Sequence, residues 1–220
     1  MYVQAFMTMD PVTVTPSTDV AEAIRQMKRA NCRRLPVLDN GRLVGIVTLH
    51  DMYGILPHHV NPAKADLAPG LESGIAVGDV MTRDVITAEP TEPLEEVAER
   101  MRRNRVGGIP VVHRGVLVGI ITESDIFRVF TQLMGGQYGG VRISLEVQPE
   151  PMSLHKLLEF AGVYAIRIIS LSMFRSEAGD RILVTMRVAG EDIERFLNSL
   201  WNAGYRVTGV LHGGRDAPGR

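Results

Sequence analysis

Two short motifs carry the chemistry that this chain could perform. Thr48-x-x-Asp51 and Thr122-x-x-Asp125 each stand where an apolar run gives way to a helical pattern. At the start of a helix, residues three apart sit beside the same free backbone N–H groups. A carboxylate held there can accept hydrogen bonds from the two hydroxyls of a ribose. Strand-edge backbone groups and apolar side chains can hold a flat base beside it. The same spacing is also close to a capping box, which stabilises a helix and binds nothing. On the residues alone both readings stand.

The residues ahead of the motifs differ between the two copies. Arg33-Arg34 precedes Pro36, whereas Gly107-Gly108 precedes Pro110. Arginines can hold phosphates bidentately, and glycines let a ligand approach the backbone closely. Two clefts built from these copies are therefore not equivalent; the plainer reading is surface charge in one copy and a turn in the other. Arg34, Gly108, Pro36 and Pro110 join the two motifs as candidate cleft residues, and His50, beside Asp51, is a further candidate for phosphate. Ser124 holds the matching place. Adjacent His58-His59 lack a third ligand at helical spacing, so no metal site is expected. A nucleophile elbow, a Gly-x-x-x-x-Gly-Lys-Ser/Thr loop and a Gly-x-Gly-x-x-Gly turn after a strand are all absent from the sequence. No enzymatic activity is expected.

The elements that must position these residues come as a duplication. Residues 3–52 align with residues 77–126 at an offset of 74, with 18 of 50 positions identical. Chance gives about three at residue frequencies of roughly one in twenty, so the match is an internal repeat. Met7-Thr8 pairs with Met81-Thr82, Pro16 with Pro90, and Pro36-Val37 with Pro110-Val111. The run Gly41-x-Leu43-Val44-Gly45-Ile46-x-Thr48-x-x-Asp51 recurs as Gly115-x-Leu117-Val118-Gly119-Ile120-x-Thr122-x-x-Asp125. Each copy predicts a short strand first, at residues 12–14 and 85–87. A helix follows, with Val20, Ile24 and Met27 on one face in the first copy and Leu94, Val97, Ala98 and Met101 in the second. Pro93 suits the first helical turn. Two strands around a tight turn come next, residues 35–38 with 43–47 and 109–112 with 116–121, with Gly41 and Gly115 supplying positive φ. Thr48 and Thr122 open a second helix. In the second copy Phe127, Phe130, Leu133 and Met134 give it a stripe that ends at Gly135-Gly136.

Each unit thus reads β-α-β-β-α, and two such units are expected to pack around a pseudo-two-fold axis. This doubled pattern resembles the CBS domain, and the pair resembles a Bateman module. The resemblance implies a regulatory role and an adenosyl ligand (AMP, ADP, ATP or S-adenosylmethionine) in the cleft between repeats. It assigns Asp51 and Asp125 to the ribose, and Thr48 and Thr122 to ribose or phosphate.

Beyond Gly139-Gly140 the pattern changes. Val141, Ile143, Leu145 and Val147 alternate as a half-buried strand. Leu154, Leu157, Leu158 and Ala161 mark a helix, with Ser153 as its cap. Tyr164, Ile166 and Ile168 predict a second strand, and Ile182, Val184, Met186 and Val188 a third after a turn at 176–180. Ile193, Phe196, Leu197, Leu200 and Trp201 predict a second helix stopped near Gly204, and Val207 and Val210 a weaker last strand. The order β-α-β-β-α-β is the ferredoxin-like split unit. After a CBS pair it looks like an ACT domain, and the whole is similar to acetoin-utilisation AcuB-type proteins. Residues 148–153 lack the glycine of the family's amino-acid site, and Pro149 and Pro151 remove two backbone N–H donors. Dimerisation is the role favoured for this part over amino-acid binding.

The expected class is therefore α+β, divided as CBS repeat 1 (1–56), linker (57–76), CBS repeat 2 (77–136), ACT-like domain (141–212) and a frayed tail (213–220). The charges are 24 basic against 25 acidic, which gives no field for nucleic acid or membrane surfaces. Cys32 is the single cysteine, so no internal disulfide forms. No targeting segment is expected. A cytoplasmic homodimer that senses an adenosyl ligand without a required cofactor, and acts on an unidentified protein partner, is the leading reading; the other is an interaction or dimerisation scaffold with vestigial clefts.

Overall fold

The computed structural model describes residues 1–53, 73–148, 153–176 and 181–213. The chain divides into two compact units, Met1–Ile126 and Phe127–Arg220. Residues 57–72 of the expected linker, His58-His59, the turn at 149–152 and the tail beyond residue 213 lie outside the described residues.

In the first unit the duplicated pattern becomes duplicated structure. Helix α1 (Val20–Arg29) follows the first copy's predicted helix, and Asp19 caps it by accepting the Ala21 N–H at 2.8 Å. Val20, Ala21, Ala23, Ile24 and Met27 form its buried face. It packs over the hairpin of β2 (Arg34–Asp39) and β3 (Arg42–Thr48), where Leu35, Val37 and Val47 are fully buried. In the second copy α4 (Leu94–Asn104) buries Leu94, Val97 and Met101 in the same way, beside β4 (Gly108–His113) and β5 (Val116–Thr122). Each fully buried aliphatic side chain contributes about 1.5–3 kcal/mol. Both hairpins turn on two left-handed residues, Asn40-Gly41 (φ 48° and 77°) and Arg114-Gly115 (φ 50° and 81°). That geometry matches strand twist, and each hairpin carries one register shift, between Val37 and Leu38 and between Val111 and Val112. The polar face of α4 carries ion pairs, Arg102 and Arg103 to Glu99 and Arg100 to Glu92.

Several details differ from the sequence reading. Residues 12–14 and 85–87 form no strand. Val14 makes only an isolated parallel bridge to Val37, and Ala88 one to Val111. The carbonyls of Pro36 and Pro110 receive the Val14 and Ala88 N–H groups, and the chain turns away after that contact. Pro93 is the cap before α4, not its first helical residue.

The short strand that does form is β1 (Thr8–Met9), and it pairs antiparallel with β5 of the other copy, Thr8 opposite Ile120. Its counterpart Thr82 pairs with Ile46 on β3 through two hydrogen bonds of 2.9 and 3.0 Å. The exchange extends through each leading segment. Val3 and Gln4 donate to Glu92 and Pro90 of the second copy, while Val77 and Gly78 donate to Thr18 and Pro16 of the first. Val77, in the short helix α3 (Val77–Val80), and Met81 are thus part of the first copy's core. Gly45 and Gly119 make room for this crossing: a Cβ on Gly119 would stand 2.7 Å from the Met7 sulfur and 2.9 Å from the Thr8 carbonyl. Helices α2 (Leu49–Tyr53) and α5 (Glu123–Leu133) then leave β3 and β5. Along α5 the stripe does not bury: Phe127, Phe130 and Leu133 are more than half exposed, and Val129 is the buried residue. Gly135, at φ 65°, ends the helix.

In the second unit, β6 (Gly140–Val147), β7 (Arg167–Arg175), β8 (Ile182–Ala189) and β9 (Arg206–Gly213) form one antiparallel sheet in the order β7-β8-β6-β9. Helices α6 (Ser153–Val163) and α7 (Ile193–Asn202) cover one face. Leu157, Ala161, Phe196, Leu197 and Leu200 pack there against Val141, Ile143, Leu145, Val184, Met186 and Val188. This is the expected ferredoxin-like arrangement. Tyr164 is not in the second strand: Ala165 is left-handed at φ 51°, and β7 starts only at Arg167. The last strand is eight residues long and includes Gly213, which pairs with Gly140. Trp201 and Leu158 point outward, 52% and 42% exposed. Ser153 is the first residue of α6.

Candidate ligand cleft

The carboxylate motifs are built alike in both copies. Thr122 N–H and Oγ1 donate to Asp125 Oδ2 at 3.0 and 2.7 Å, and the Asp125 N–H returns to Thr122 Oγ1 at 3.4 Å. In the first copy Thr48 N–H and Oγ1 donate to Asp51 Oδ2 at 2.9 and 2.8 Å, with the Asp51 N–H returning at 3.3 Å. Both are capping boxes in geometry, and each fixes one carboxylate at the start of a helix with the Oδ2 edge engaged.

Thr122 and Asp125 line a cleft of about 550 Å3, a volume within the usual range for small-molecule sites of about 300–1,000 Å3. The opposite wall comes from the first copy: Thr8 and Asp10 to Val12, then Ala30 to Arg34 where α1 hands over to β2. Gly107, Ile120, Glu123 and Ser124 complete the lining. The site therefore combines three carboxylates (Asp10, Glu123 and Asp125), three hydroxyls, two arginines and apolar surface between the repeats. Burial pulls the Arg34 guanidinium below its ordinary value, with the Glu123 carboxylate opposing that shift. Burial also pushes the Cys32 thiol up.

The other expected residues fall elsewhere. Thr48 and Asp51 stand at the matching place on β3 and α2, where Thr82 is the crossing residue, and do not line this cleft. His50 is exposed on α2. Pro36 and Pro110 are buried inside their strands, opposite Ile46 and Ile120. Gly107 and Gly108 leave room, but Arg34 fills it. A Cβ on Gly107 would lie 2.6 Å from Arg34 Nη2 and 2.8 Å from Glu123 Oε2, and one on Gly108 would stand 2.8 Å from Arg34 Cδ. The difference between the copies thus forms a fitted pair, with an arginine of one lying across the glycines of the other.

Sequence reasoning missed Thr8, Asp10, Asn31 and Glu123 as cleft residues. A signal for the first two was present, since Met7-Thr8-x-Asp10 recurs as Met81-Thr82-x-Asp84. Among the described residues no cluster of three or more metal-ligating side chains occurs. None of the described helices is long and apolar enough to cross a membrane.

Comparison with known proteins agrees with this architecture. The CBS domain model matches residues 3–58 and 77–132, and the TTHA0829-like ACT domain model matches residues 139–211. Protein MJ1225 of Methanocaldococcus jannaschii is 34% identical over 131 residues, 57% of this chain and 45% of that protein. An L-aspartate semialdehyde sulfurtransferase of the same organism is 36% identical over 131 residues, 58% of this chain and 23% of the enzyme. The chain thus spans less than half the length of either relative. Among solved structures, the CBS domain pair of protein MJ0100 in complex with 5'-methylthioadenosine and S-adenosyl-L-methionine is 31% identical. It covers 63% of this chain and 98% of its own, with a TM-score of 0.50. An acetoin utilization protein (AcuB) from Vibrio cholerae is 30% identical, covering 62% and 95%, with a TM-score of 0.51. With both repeats and the C-terminal unit matched, this chain belongs to the CBS-domain family, as a tandem CBS pair followed by an ACT-like domain.

Proposed function

We propose that this protein is a cytoplasmic, non-catalytic regulator that senses an adenosyl compound in the cleft between its CBS repeats. The observation that carries the reading is the juxtaposition of Thr122 and Asp125 with Thr8, Asp10 and Arg33-Arg34 across one cleft. Asp125 accepts the ribose hydroxyls, and Thr122 fixes the carboxylate through Oδ2. Ile120 and Val12 hold the base, and Arg33 at the mouth meets a phosphate or the charged part of a related ligand. Thr48, Asp51 and His50 serve the matching cleft. Arg34 lines the cleft beside Arg33, whereas Gly108, Pro36 and Pro110 are buried in the strands behind it. The similarity to a CBS pair solved with methylthioadenosine and S-adenosylmethionine supports an adenosyl ligand of this kind. Binding shifts the population of two arrangements of the repeats, and a homodimer transmits that shift to a protein partner.

The deciding experiment is calorimetric titration of the full chain with AMP, ADP, ATP, S-adenosylmethionine and methylthioadenosine, with and without magnesium. Saturable binding of one of them, weakened at least about tenfold in Asp125→Ala with the fold intact, is the expected result. Absence of binding at millimolar concentration across the set refutes it. One observation favours the scaffold reading instead: both carboxylates close on their own threonines, and Arg34 fills the space of Gly107 and Gly108. On that reading Asp51→Ala and Asp125→Ala lower stability alike and no ligand is found.

A further inference from the structure

The face of the C-terminal sheet that α6 and α7 leave open carries two cations side by side. Arg142 on β6 and Arg187 on β8 are directly paired across the strands. Their neighbours Val141, Ile143, Met186 and Val188 are buried under the helices, so both arginines stand on the opposite face. Each has its Nε buried and without a hydrogen-bond partner. The Arg187 Nη1 donates to the Tyr138 carbonyl at 3.2 Å. Among the described residues neither guanidinium has an ion-pair partner. The next row of the same face is hydroxylic, with Ser144 opposite Thr185, and Ser170 lies beside Arg187.

Like charges directly opposite each other destabilise a strand pair, and a buried donor without a partner costs free energy. Two such costs at one spot have a common remedy, which is an anion between the guanidiniums. We infer that Arg142 and Arg187, with the neighbouring Ser144 and Thr185 hydroxyls, form an anion site on the sheet face opposite α6 and α7, beside the turn of Gly135 and Tyr138, that takes a phosphate or carboxylate group. The planar donor forks of the arginines suit oxyanions. This site is independent of the cleft between the CBS repeats and stands or falls apart from it.

The test is an NMR titration of the full chain, reading the arginine Nε–Hε resonances, with inorganic phosphate in one arm and succinate in the other. Assignment rests on Arg142→Gln and Arg187→Gln, each of which removes one resonance. The expected result is a saturable shift of both Hε signals with at least one of the two anions. In Arg142→Gln the remaining Arg187 signal then needs at least about tenfold more anion to shift. The arm that saturates first tells phosphate from carboxylate. Three results overturn the inference: no saturable shift in either arm, a shift unchanged in Arg142→Gln, or a shift that follows protein concentration and not anion. The last assigns the pair to contact between copies.

Discussion

Asp19 holds two stretches of chain together, and replacing it shows how the first repeat is closed. Its carboxylate accepts the Ala21 N–H at 2.8 Å, the Ser73 N–H at 3.0 Å, the Ser73 hydroxyl at 2.9 Å and the Gly74 N–H at 3.0 Å. The first of these caps α1; the others fasten residues 73–74, just ahead of Ile75, Val77 and Met81, to the first repeat's core. Asp19→Ala removes a cap worth about 1 kcal/mol. It also removes charge-assisted bonds worth about 1.5–3 kcal/mol each when buried, and less here because Gly74 is exposed. The sum is about 2–3 kcal/mol. For a unit of this size 1 kcal/mol moves Tm by about 3–5 °C, so a loss of about 6–15 °C is expected in calorimetry at pH 7. The pH dependence has a definite sign. Burial alone would raise the Asp19 carboxyl, but the hydrogen bonds from Ser73, Ala21 and Gly74 outweigh it and hold the group below its ordinary range. Its stabilisation is therefore complete above the unfolded-state value of about 3.9 and disappears as pH falls through the lower folded value. The gap between wild type and variant stays level from pH 7 to about 5 and narrows in stronger acid. A gap under about 2 °C at pH 7, or one that does not narrow in acid, refutes the reasoning.

Three further outcomes follow from the same structure. Gly119→Ala costs about 1–3 kcal/mol in a urea titration, because the new methyl meets the Met7 sulfur and the Thr8 carbonyl; an unchanged or raised midpoint shows that β1 yields easily. Without ligand, Asp51→Ala and Asp125→Ala each lower stability by about 1 kcal/mol through loss of the capping box, and thermal melts that show no loss in either remove that role. Phe130→Glu, at a position 57% exposed in the single chain, leaves the circular dichroism spectrum unchanged and weakens self-association in sedimentation by at least about tenfold. An unchanged sedimentation profile excludes this helix face from the homodimer proposed above.

The elements were legible where one local rule spoke clearly. The 3.6-residue stripes of α1 and α4 and the alternation of β6 and β8 fixed which side chains bury, because each pattern matches one covered face. Sequence misjudged residues 12–14 and 85–87, where alternating Val, Ile and Thr carry strand propensity but the structure offers only one backbone partner on each side. The stripe of Phe127, Phe130 and Leu133 has helical period, yet periodicity states only that a face is apolar, not what covers it. For the cleft, the Thr-x-x-Asp motif and its hydrogen bonds were readable because they span three residues of one chain segment.

The sequence by itself determined the duplication, the order of elements, the two hairpin turns and the two capping boxes. All of these depend on contacts a few residues apart or on self-similarity at a fixed offset. Only the tertiary structure decided that each repeat's leading segment closes the other repeat, with Thr8 on β5 and Thr82 on β3. The same holds for Arg34 lying across Gly107 and Gly108, and for Arg142 meeting Arg187 across two strands. These are pairings between segments more than 30 residues apart. Local propensity is blind to them, because their free energy arises when the chain packs and two compatible surfaces meet.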